Sequence, residues 1–140
     1  MSERPLRVAV IGASGRGDYG HGLDTAFADV PGTRLVAVAD HDPAGAARAA
    51  KRIGVSQHYR DYRRMISSER PDIVCVAPRW LTQRVEMIET AAAAGCHVYC
   101  EKPLTRDVHE CRIITEAAAK AKVQTPVSYT HLTLPTILLV

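Results

Sequence analysis

The sequence predicts an α/β fold, a doubly wound parallel sheet with helices on both faces, and three observations predict it. Short runs rich in β-branched residues alternate with stretches of helical periodicity, which is the pattern of βαβ units. Right-handed crossovers arrange such units into a parallel sheet with helices on both faces. A glycine-rich turn follows the first run and an acidic residue ends the second, an order typical of doubly wound sheets.

Five strands are predicted, each from an apolar or β-branched run bounded by turn residues. They cover residues 6–11, 34–39, 57–59, 73–77 and 97–100. The fourth run, Ile-Val-Cys-Val-Ala, is apolar throughout, which is typical of a strand buried on both faces. We therefore expect the sheet to lie in the middle of the domain, with any ligand at the carboxyl ends of its strands.

Five helices are predicted between and after these strands. They cover residues 23–30, 43–53 and 61–69, the stretch from Thr82 to Gly95, and residues 105–122. Asp42 is a natural N-cap, Pro43 a natural first helical residue, and Gly54 a natural end for the second helix. Thr82 and Thr105 are expected to begin the fourth and fifth helices.

Composition excludes several classes of protein. The chain has 140 residues, of which 46% are hydrophobic and 24% charged, enough for one domain with its own core. No apolar run approaches the ~20 residues of a transmembrane helix. The net charge is +3, and the basic residues are interspersed with acidic ones, which does not indicate a nucleic-acid partner. No apolar signal segment precedes the first strand, which favours a cytoplasmic protein.

The four cysteines indicate neither a metal site nor a disulfide. They are Cys75, Cys96, Cys100 and Cys111, and none forms a C-x-x-C pair. The Cys96/Cys100 spacing has no partner pair elsewhere in the chain, as a zinc ribbon would require. We therefore expect reduced, mostly buried thiols and no bound metal.

The turn after the first strand reads Gly-Ala-Ser-Gly-Arg-Gly. Against the dinucleotide fingerprint G-x-G-x-x-G, Gly12 and Gly17 hold the first and third positions, and Ser14 holds the second with Gly15 after it. The fingerprint requires a tight turn, backbone amides close to a pyrophosphate, and a helix N-terminus facing that anion. Glycine-rich turns also occur for packing reasons, but the strand that directly precedes this turn favours dinucleotide binding. Arg16 lies either beside the phosphates or in solvent.

Asp40 ends the second strand at the distance that the fingerprint expects. Its carboxylate can accept both ribose hydroxyls of an adenosine, and its charge would repel a 2′-phosphate, which favours NAD over NADP. The alternative is a turn residue preceding the Asp42 cap. Strand, turn and acid agree, so we favour the nucleotide role.

Two further strand ends carry unusual residues. After the fourth strand come Ala77, Pro78 and the only tryptophan, Trp80, which either packs against a nicotinamide or substrate ring or packs on the next helix. After the fifth strand comes Glu101-Lys102-Pro103, where a lysine can hold a hydroxyl or move a proton. The alternative is an ordinary exposed ion pair. His21 lies in a glycine-spaced segment, and a lone loop histidine is more typically without function.

The glycine turn, Asp40, Ala77-Pro78 and above all Glu101-Lys102-Pro103 resemble the N-terminal domain of the Gfo/Idh/MocA oxidoreductases over residues 6–125. The resemblance implies a Rossmann fold, NAD(P) bound across the fingerprint, and a sugar, polyol or inositol-like substrate oxidised by hydride transfer. It also implies that Lys102 lies beside nicotinamide and substrate, and we take Lys102 as the best catalytic candidate. The expected cofactor-binding residues are Gly12, Ser14, Gly15, Arg16, Gly17, Asp40, Ala77, Pro78, Trp80, Glu101, Lys102 and Pro103. Thr82 stands where the family often has a histidine.

The same resemblance implies a second domain, which provides the substrate pocket and the interface of a homo-oligomer. Alternative functions are an NAD-dependent glycoside hydrolase of the same superfamily and a non-catalytic nucleotide-binding module.

We expect residues 1–125 to form the NAD-binding domain, with the substrate domain absent. Residues 126–140 carry no charge and, from 127 to 136, resemble one translated frame of a transposon-end sequencing adapter. This segment is therefore expected to be non-native, and the fragment inactive alone. The competing interpretation is a genuine sixth strand.

Overall fold

A computed structural model describes residues 4–128 as a six-stranded, all-parallel sheet with four helices. The strands are β1 (Leu6–Ile11), β2 (Thr33–Ala39), β3 (Gln57–Tyr59), β4 (Ile73–Val76), β5 (His97–Glu101) and β6 (Val127–Ser128). Their order is β3-β2-β1-β4-β5-β6, so the chain leaves β1 in one direction and crosses back to pair β4 on its other side. The predicted doubly wound parallel sheet is confirmed, with its switch point between β1 and β4.

Alternation along the strands divides the core between the two faces of the sheet. Ala9 and Ile11 of β1 pack in one cluster with Met65, Ile88 and Ile114 from the helices on that face. Val8 and Val10 pack in a second cluster on the opposite face, where Ala49 and Leu23 cover them. Successive side chains of a strand point to opposite faces, so a strand covered on both must be apolar throughout.

The helices are α1 (Pro43–Ile53), α2 (Tyr62–Glu69), α3 (Arg84–Ala93) and α4 (Val108–Ala121). The predicted limits of α1 are confirmed, because Asp42 accepts from the amides of Ala44 and Gly45, and Gly54 ends the helix at φ 74°. The prediction for α2 also holds, with the Asp61 carboxylate accepting from the amide of Arg63.

The predicted threonine caps are wrong at both later helices. Helix α3 begins after Gln83 without a side-chain cap, and its first turn closes through the Arg84 amide, which donates to the Leu81 carbonyl at 3.1 Å. Helix α4 is capped by Asp107, whose carboxylate accepts from the Glu110 amide at 2.8 Å. Thr105 instead donates its hydroxyl to the Asp107 carbonyl, so it supports the residue that caps the helix.

The helix predicted over residues 23–30 is also wrong, since this stretch forms a series of turns. Its amides bond three residues back, from Thr25 to Gly22, Ala28 to Thr25 and Val30 to Phe27, without the continuous four-residue ladder of an α-helix. Glycines with left-handed φ at 17, 20 and 22 precede it and prevent a right-handed helix from beginning at the glycine turn. The helix expected directly after that turn is therefore missing, although the first turn of α1 lies against it, where a Cβ on Gly45 would be 2.1 Å from Ser14 Oγ.

Strand β6 pairs in parallel with β5, and the Cys100 amide donates to the Pro126 carbonyl at 3.0 Å. The segment expected to be non-native thus begins beside the sheet, and its remainder, 129–140, lies outside the described residues. Parallel pairing uses backbone groups alone, so it does not distinguish a native strand from a foreign one. Reading the nucleotides of codons 127–136 separates the two interpretations.

The cysteines are free thiols, with Cys75, Cys96 and Cys100 buried. Burial raises the pKa of Cys96 and of Cys100 to about 11. Across residues 4–128, no helix combines the length and the apolar character needed to span a membrane.

Candidate functional site

The chemistry-bearing residues predicted from the sequence meet at the carboxyl edge of the sheet. The glycine turn follows β1, Asp40 follows β2, Ala77 and Pro78 follow β4, and Glu101 ends β5. Parallel strands bring these ends to one edge, and the switch point between β1 and β4 opens a crevice there. The crevice has an Asp40 end and a Glu101 end.

Asp40 is buried, with 1% of its surface exposed, and it is surrounded by donors. Its carboxylate accepts from the Ser14 hydroxyl at 2.7 Å, the Tyr19 hydroxyl at 2.8 Å and the Asp42 amide at 3.0 Å. The Ser14 amide adds a bond of 3.0 Å, and His41 Nδ1 lies 3.3 Å away. Burial alone would raise the pKa of Asp40, but these donors outweigh it and hold the pKa below its usual value, which favours the ionised form.

The amides of the glycine turn donate within the protein. The Gly12 amide bonds the Ala39 carbonyl at 2.9 Å, the Gly15 amide bonds the Asp18 carboxylate at 2.9 Å, and the Arg16 amide bonds the Ala13 carbonyl at 2.9 Å. These are the groups that would approach a pyrophosphate in a dinucleotide complex. These three amides therefore already have partners within the protein.

At two positions of the fingerprint, neighbouring atoms lie so close to the backbone that only glycine fits. A Cβ on Gly12 would lie 2.2 Å from the ring of Tyr19, and one on Gly17 would lie 2.4 Å from the amide nitrogen of Arg79. Gly17 also has φ 89°, a conformation that L side chains rarely adopt. Arg79 donates its amide to the Gly17 carbonyl at 3.2 Å, which joins the glycine turn to the segment after β4.

Glu101 is the second buried carboxylate, also 1% exposed. Its Oε2 accepts from the His21 amide at 2.6 Å and lies 3.0 Å from His21 Nδ1, while its Oε1 accepts from the Lys102 amide at 2.9 Å. Burial raises the pKa of Glu101, but the His21 and Lys102 donors outweigh it and leave the pKa below its usual value. Glu101 therefore does not form the exposed ion pair with Lys102 that was one alternative.

Arg84, at the start of α3, is a buried residue that sequence reasoning missed. Its guanidinium is 1% exposed and donates to the carbonyls of Pro78, Glu101 (2.5 Å) and Pro103 (2.8 Å), with Cys100 Sγ at 3.1 Å. It thus joins the segments after β4 and β5. A signal was available, because Arg84 shares a helical face with Ile88 and Ala91, both buried.

The remaining predicted residues lie at the surface of the same edge. Arg16, Lys102 and Pro103 are exposed, and Trp80 is 56% exposed. The peptide bond between Lys102 and Pro103 is cis. The structure brings Gly12, Ser14 and Asp40 together at one end and Pro78, Glu101 and Lys102 at the other. Tyr19 and His21, which were not expected to be functional, lie between the two ends.

A cleft of about 840 Å³ adjoins the Asp40 end. Gly12, Ala13 and Asp40 line it on the side of the glycine turn, and the segment 58–64 lines the opposite side. Arg60, Arg63 and Arg64 belong to that opposite side. This volume is in the usual range for a small-molecule site and is large enough for an adenosine.

A parallel sheet with a glycine turn after β1 and a carboxylate after β2 defines the class of nucleotide-binding Rossmann domains. The sequence profile of the family GFO_IDH_MocA, described as "Oxidoreductase family, NAD-binding Rossmann fold", matches residues 6–129. The chain therefore belongs to the Gfo/Idh/MocA oxidoreductase family and is its NAD-binding domain, as the resemblance predicted.

Individual relatives are dehydrogenases and a glycosidase. The chain is 33% identical over 122 residues to D-glucoside 3-dehydrogenase of Escherichia coli, covering 86% of this chain and 33% of that protein. It is 29% identical to glycosyl hydrolase family 109 protein 2 of Shewanella sp. (strain MR-4), covering 81% and 26%. The crystal structure of myo-inositol 2-dehydrogenase from Lactobacillus plantarum superposes with a TM-score of 0.74 at 30% identity, covering 89% and 36%. The chain spans about a third of the length of the relatives it matches.

Proposed function

We propose that this domain belongs to an NAD-dependent oxidoreductase that transfers a hydride between a carbohydrate-like hydroxyl and nicotinamide. The observation that carries the proposal is the buried Asp40 carboxylate, which lies beside both the glycine turn and the cleft of about 840 Å³. The sugar and inositol dehydrogenases among the relatives support the class of substrate.

The Asp40 end would hold the adenosine half of NAD. Asp40 would accept the ribose hydroxyls, and Gly12, Ser14, Gly15, Arg16 and Gly17 would hold the pyrophosphate. Two observations support this fit. The cleft reaches Asp40, and Gly12 has no Cβ, so that another group can pack directly on its backbone, as the Tyr19 ring does. The negative charge of Asp40 would disfavour a 2′-phosphate, which supports NAD rather than NADP.

The Glu101 end would face the nicotinamide. Ala77, Pro78 and Trp80 would line it after β4, and Glu101 and Pro103 would shape it after β5. The bound cofactor supplies the hydride chemistry. The protein contributes orientation, and Lys102, exposed beside this end, would hold the substrate hydroxyl and take or return its proton.

Titration calorimetry of the chain with NAD and with NADP tests the proposal. We expect NAD to bind more tightly than NADP. Asp40→Ala should weaken NAD binding by about ten- to a hundredfold, because a hydrogen bond to a charged group contributes roughly 1.5–3 kcal/mol. The same variant should bind NADP relatively better, since the repulsion is gone and Arg60, Arg63 and Arg64 line the cleft. Unchanged affinity for both cofactors in a folded Asp40→Ala chain would remove Asp40 from the site.

Lys102 requires a test in a full-length oxidoreductase carrying this domain. Lys102→Met should lower turnover by about 10²- to 10⁴-fold, the usual contribution of a general acid–base group, and leave NAD affinity unchanged. Lys120→Met, on an exposed part of α4, is the matched control and should retain full turnover. Full activity of Lys102→Met would contradict the catalytic assignment.

The Shewanella relative favours one second candidate, an NAD-dependent glycoside hydrolase. The same full-length protein separates the two. Net formation of NADH, followed by absorbance, is expected of the dehydrogenase, whereas cleavage of a glycoside without net reduction is expected of the hydrolase.

A further inference from the structure

We propose that Arg63 forms a stacking platform for the adenine ring of the dinucleotide and thereby gives this domain a preference for a purine base. The inference rests on the proposed function, since it assigns the cleft of about 840 Å³ to the adenosine half of NAD. It adds one residue of α2 to a site otherwise built from the glycine turn and Asp40.

The Arg63 side chain lies over a neighbouring aromatic ring at the wall of the cleft. Its guanidinium carbon is 4.6 Å from the centre of the Tyr62 ring, and both residues line the cleft. Tyr62 is buried, whereas half of the Arg63 side chain is exposed. Since the Tyr62 ring covers one side of the guanidinium, the exposed side is the one that a ligand in the cleft can reach.

Two carboxylates fix the orientation of this guanidinium. Glu86 of α3 forms an ion pair with Arg63 Nη2, and the carboxylate of Asp61, which caps α2, lies 3.7 Å from Arg63 Nη1. Asp61 also accepts from the Arg63 amide at 2.9 Å, so it anchors both the backbone and the side chain of Arg63. A guanidinium whose hydrogen-bonding edge is already engaged keeps its planar face free for stacking.

The charges around Arg63 favour an uncharged ring over a phosphate at this position. Asp61 and Glu86 carry two negative charges against the single positive charge of Arg63, so the three together do not attract an anion. The lining of the cleft also includes the apolar residues Ile11 and Met87. Arginine guanidinium planes stack on nucleobases, and a purine offers them a larger face than a pyrimidine does. The cleft is therefore expected to prefer adenine to a pyrimidine base.

The alternative is that Arg63 only joins α2 to α3 through its ion pair with Glu86. The two roles differ in their effect on base preference. Loss of a purely structural contact would weaken the binding of every dinucleotide by the same factor, whereas loss of a stacking platform weakens the purine ligand most. Arg63→Lys also separates stacking from simple attraction, because lysine keeps the positive charge but has no planar face.

The experiment is titration calorimetry of the chain with NAD and with nicotinamide cytosine dinucleotide, which differs from NAD only in the base. We expect the wild-type chain to bind NAD about tenfold more tightly than the cytosine analogue. Arg63→Lys and Arg63→Met should each lower the affinity for NAD by about five- to tenfold and bring the two ligands to within about twofold of each other. Arg112→Lys and Arg112→Met, exposed on α4, are the matched controls and should keep the wild-type ratio.

Three other outcomes would overturn the platform, and one of them would reach further. Unchanged NAD affinity in both Arg63 variants, or an equal loss for the two dinucleotides, would overturn the platform and leave the proposed function standing. A loss in Arg63→Met but not in Arg63→Lys would do the same, because the charge rather than the planar face would then bind the cofactor. Absence of NAD binding by a wild-type chain that is folded by circular dichroism would refute the proposed function itself, and the platform with it.

Discussion

The two ends of the crevice are built around similar carboxylates but differ in what surrounds them. Asp40 and Glu101 are both 1% exposed, and both have pKa values below the usual range. Asp40 accepts from two side-chain hydroxyls, those of Ser14 and Tyr19, and adjoins a cleft of about 840 Å³. Glu101 is held mainly by backbone amides, and its neighbours Lys102 and Trp80 are exposed. The Asp40 end therefore has a cleft beside its carboxylate, whereas the residues next to Glu101 are exposed.

Removing the Arg84 guanidinium should have the largest effect, and only at the Glu101 end. Arg84→Met leaves the carbonyls of Pro78, Glu101 and Pro103 without their buried donor, so we expect a loss of about 4 kcal/mol in the free energy of unfolding. Urea denaturation measures it. Arg112→Met, exposed on α4, is the control and should change stability by less than about 0.5 kcal/mol.

The local readout for Arg84→Met is hydrogen exchange. Protection should fall around residues 101–104 and stay near wild type at Asp42, whose amide bonds Asp40. Equal loss of protection at both sites would mean that the two ends are not independent.

Adding a methyl group should distinguish how firmly residues 18–22 are held at each end. Gly20→Ala places a Cβ against the Ala77 carbonyl and forces φ 61° on an alanine, so a loss of about 2 to 3 kcal/mol is expected. Gly12→Ala meets only the Tyr19 side chain, which can rotate away, and should cost less. Gly32→Ala, with φ 79° and open space, isolates the backbone strain. Thermal unfolding of the three variants would contradict the comparison if Gly12→Ala were the most destabilised.

The smallest expected effect is a pH dependence from Glu101. Its pKa is lower in the folded than in the unfolded chain, so the ionised side chain contributes stability above the unfolded pKa of about 4.3, and this is lost as the pH falls through the folded value. Glu101→Gln should therefore flatten the decline in stability below about pH 4.5. The measurement is urea denaturation from pH 6 to pH 3, and an unchanged slope would show that Glu101 does not contribute.

Much of the fold was predictable, because its signals are local. Apolar runs located the strands, and Asp42, Pro43 and Gly54 located α1 through backbone chemistry that depends on near neighbours alone. The same reasoning placed Asp40 and Glu101 at one edge of a parallel sheet. These are consequences of periodicity and topology.

The contacts that define the crevice were not predictable, because they join residues distant in sequence. Nothing local indicates that His21 donates to Glu101, 80 positions away, or that Arg84 bonds three carbonyls at the ends of β4 and β5. The missing helix over 23–30 had a local signal, since glycines at 17, 20 and 22 adopt left-handed φ. The apolar periodicity of this stretch favoured a helix, but the left-handed glycines before it led to a series of turns instead.

Titration of the chain with two parts of NAD, ADP-ribose and nicotinamide mononucleotide, tests the central claim most directly. We assign most of the NAD contacts in this domain to Asp40 and the glycine turn, and few to the nicotinamide. The dissociation constant of ADP-ribose should therefore lie within about tenfold of that of NAD. Nicotinamide mononucleotide should give no measurable heat. Binding of the mononucleotide as tight as that of NAD, or NAD binding without ADP-ribose binding, would contradict this account.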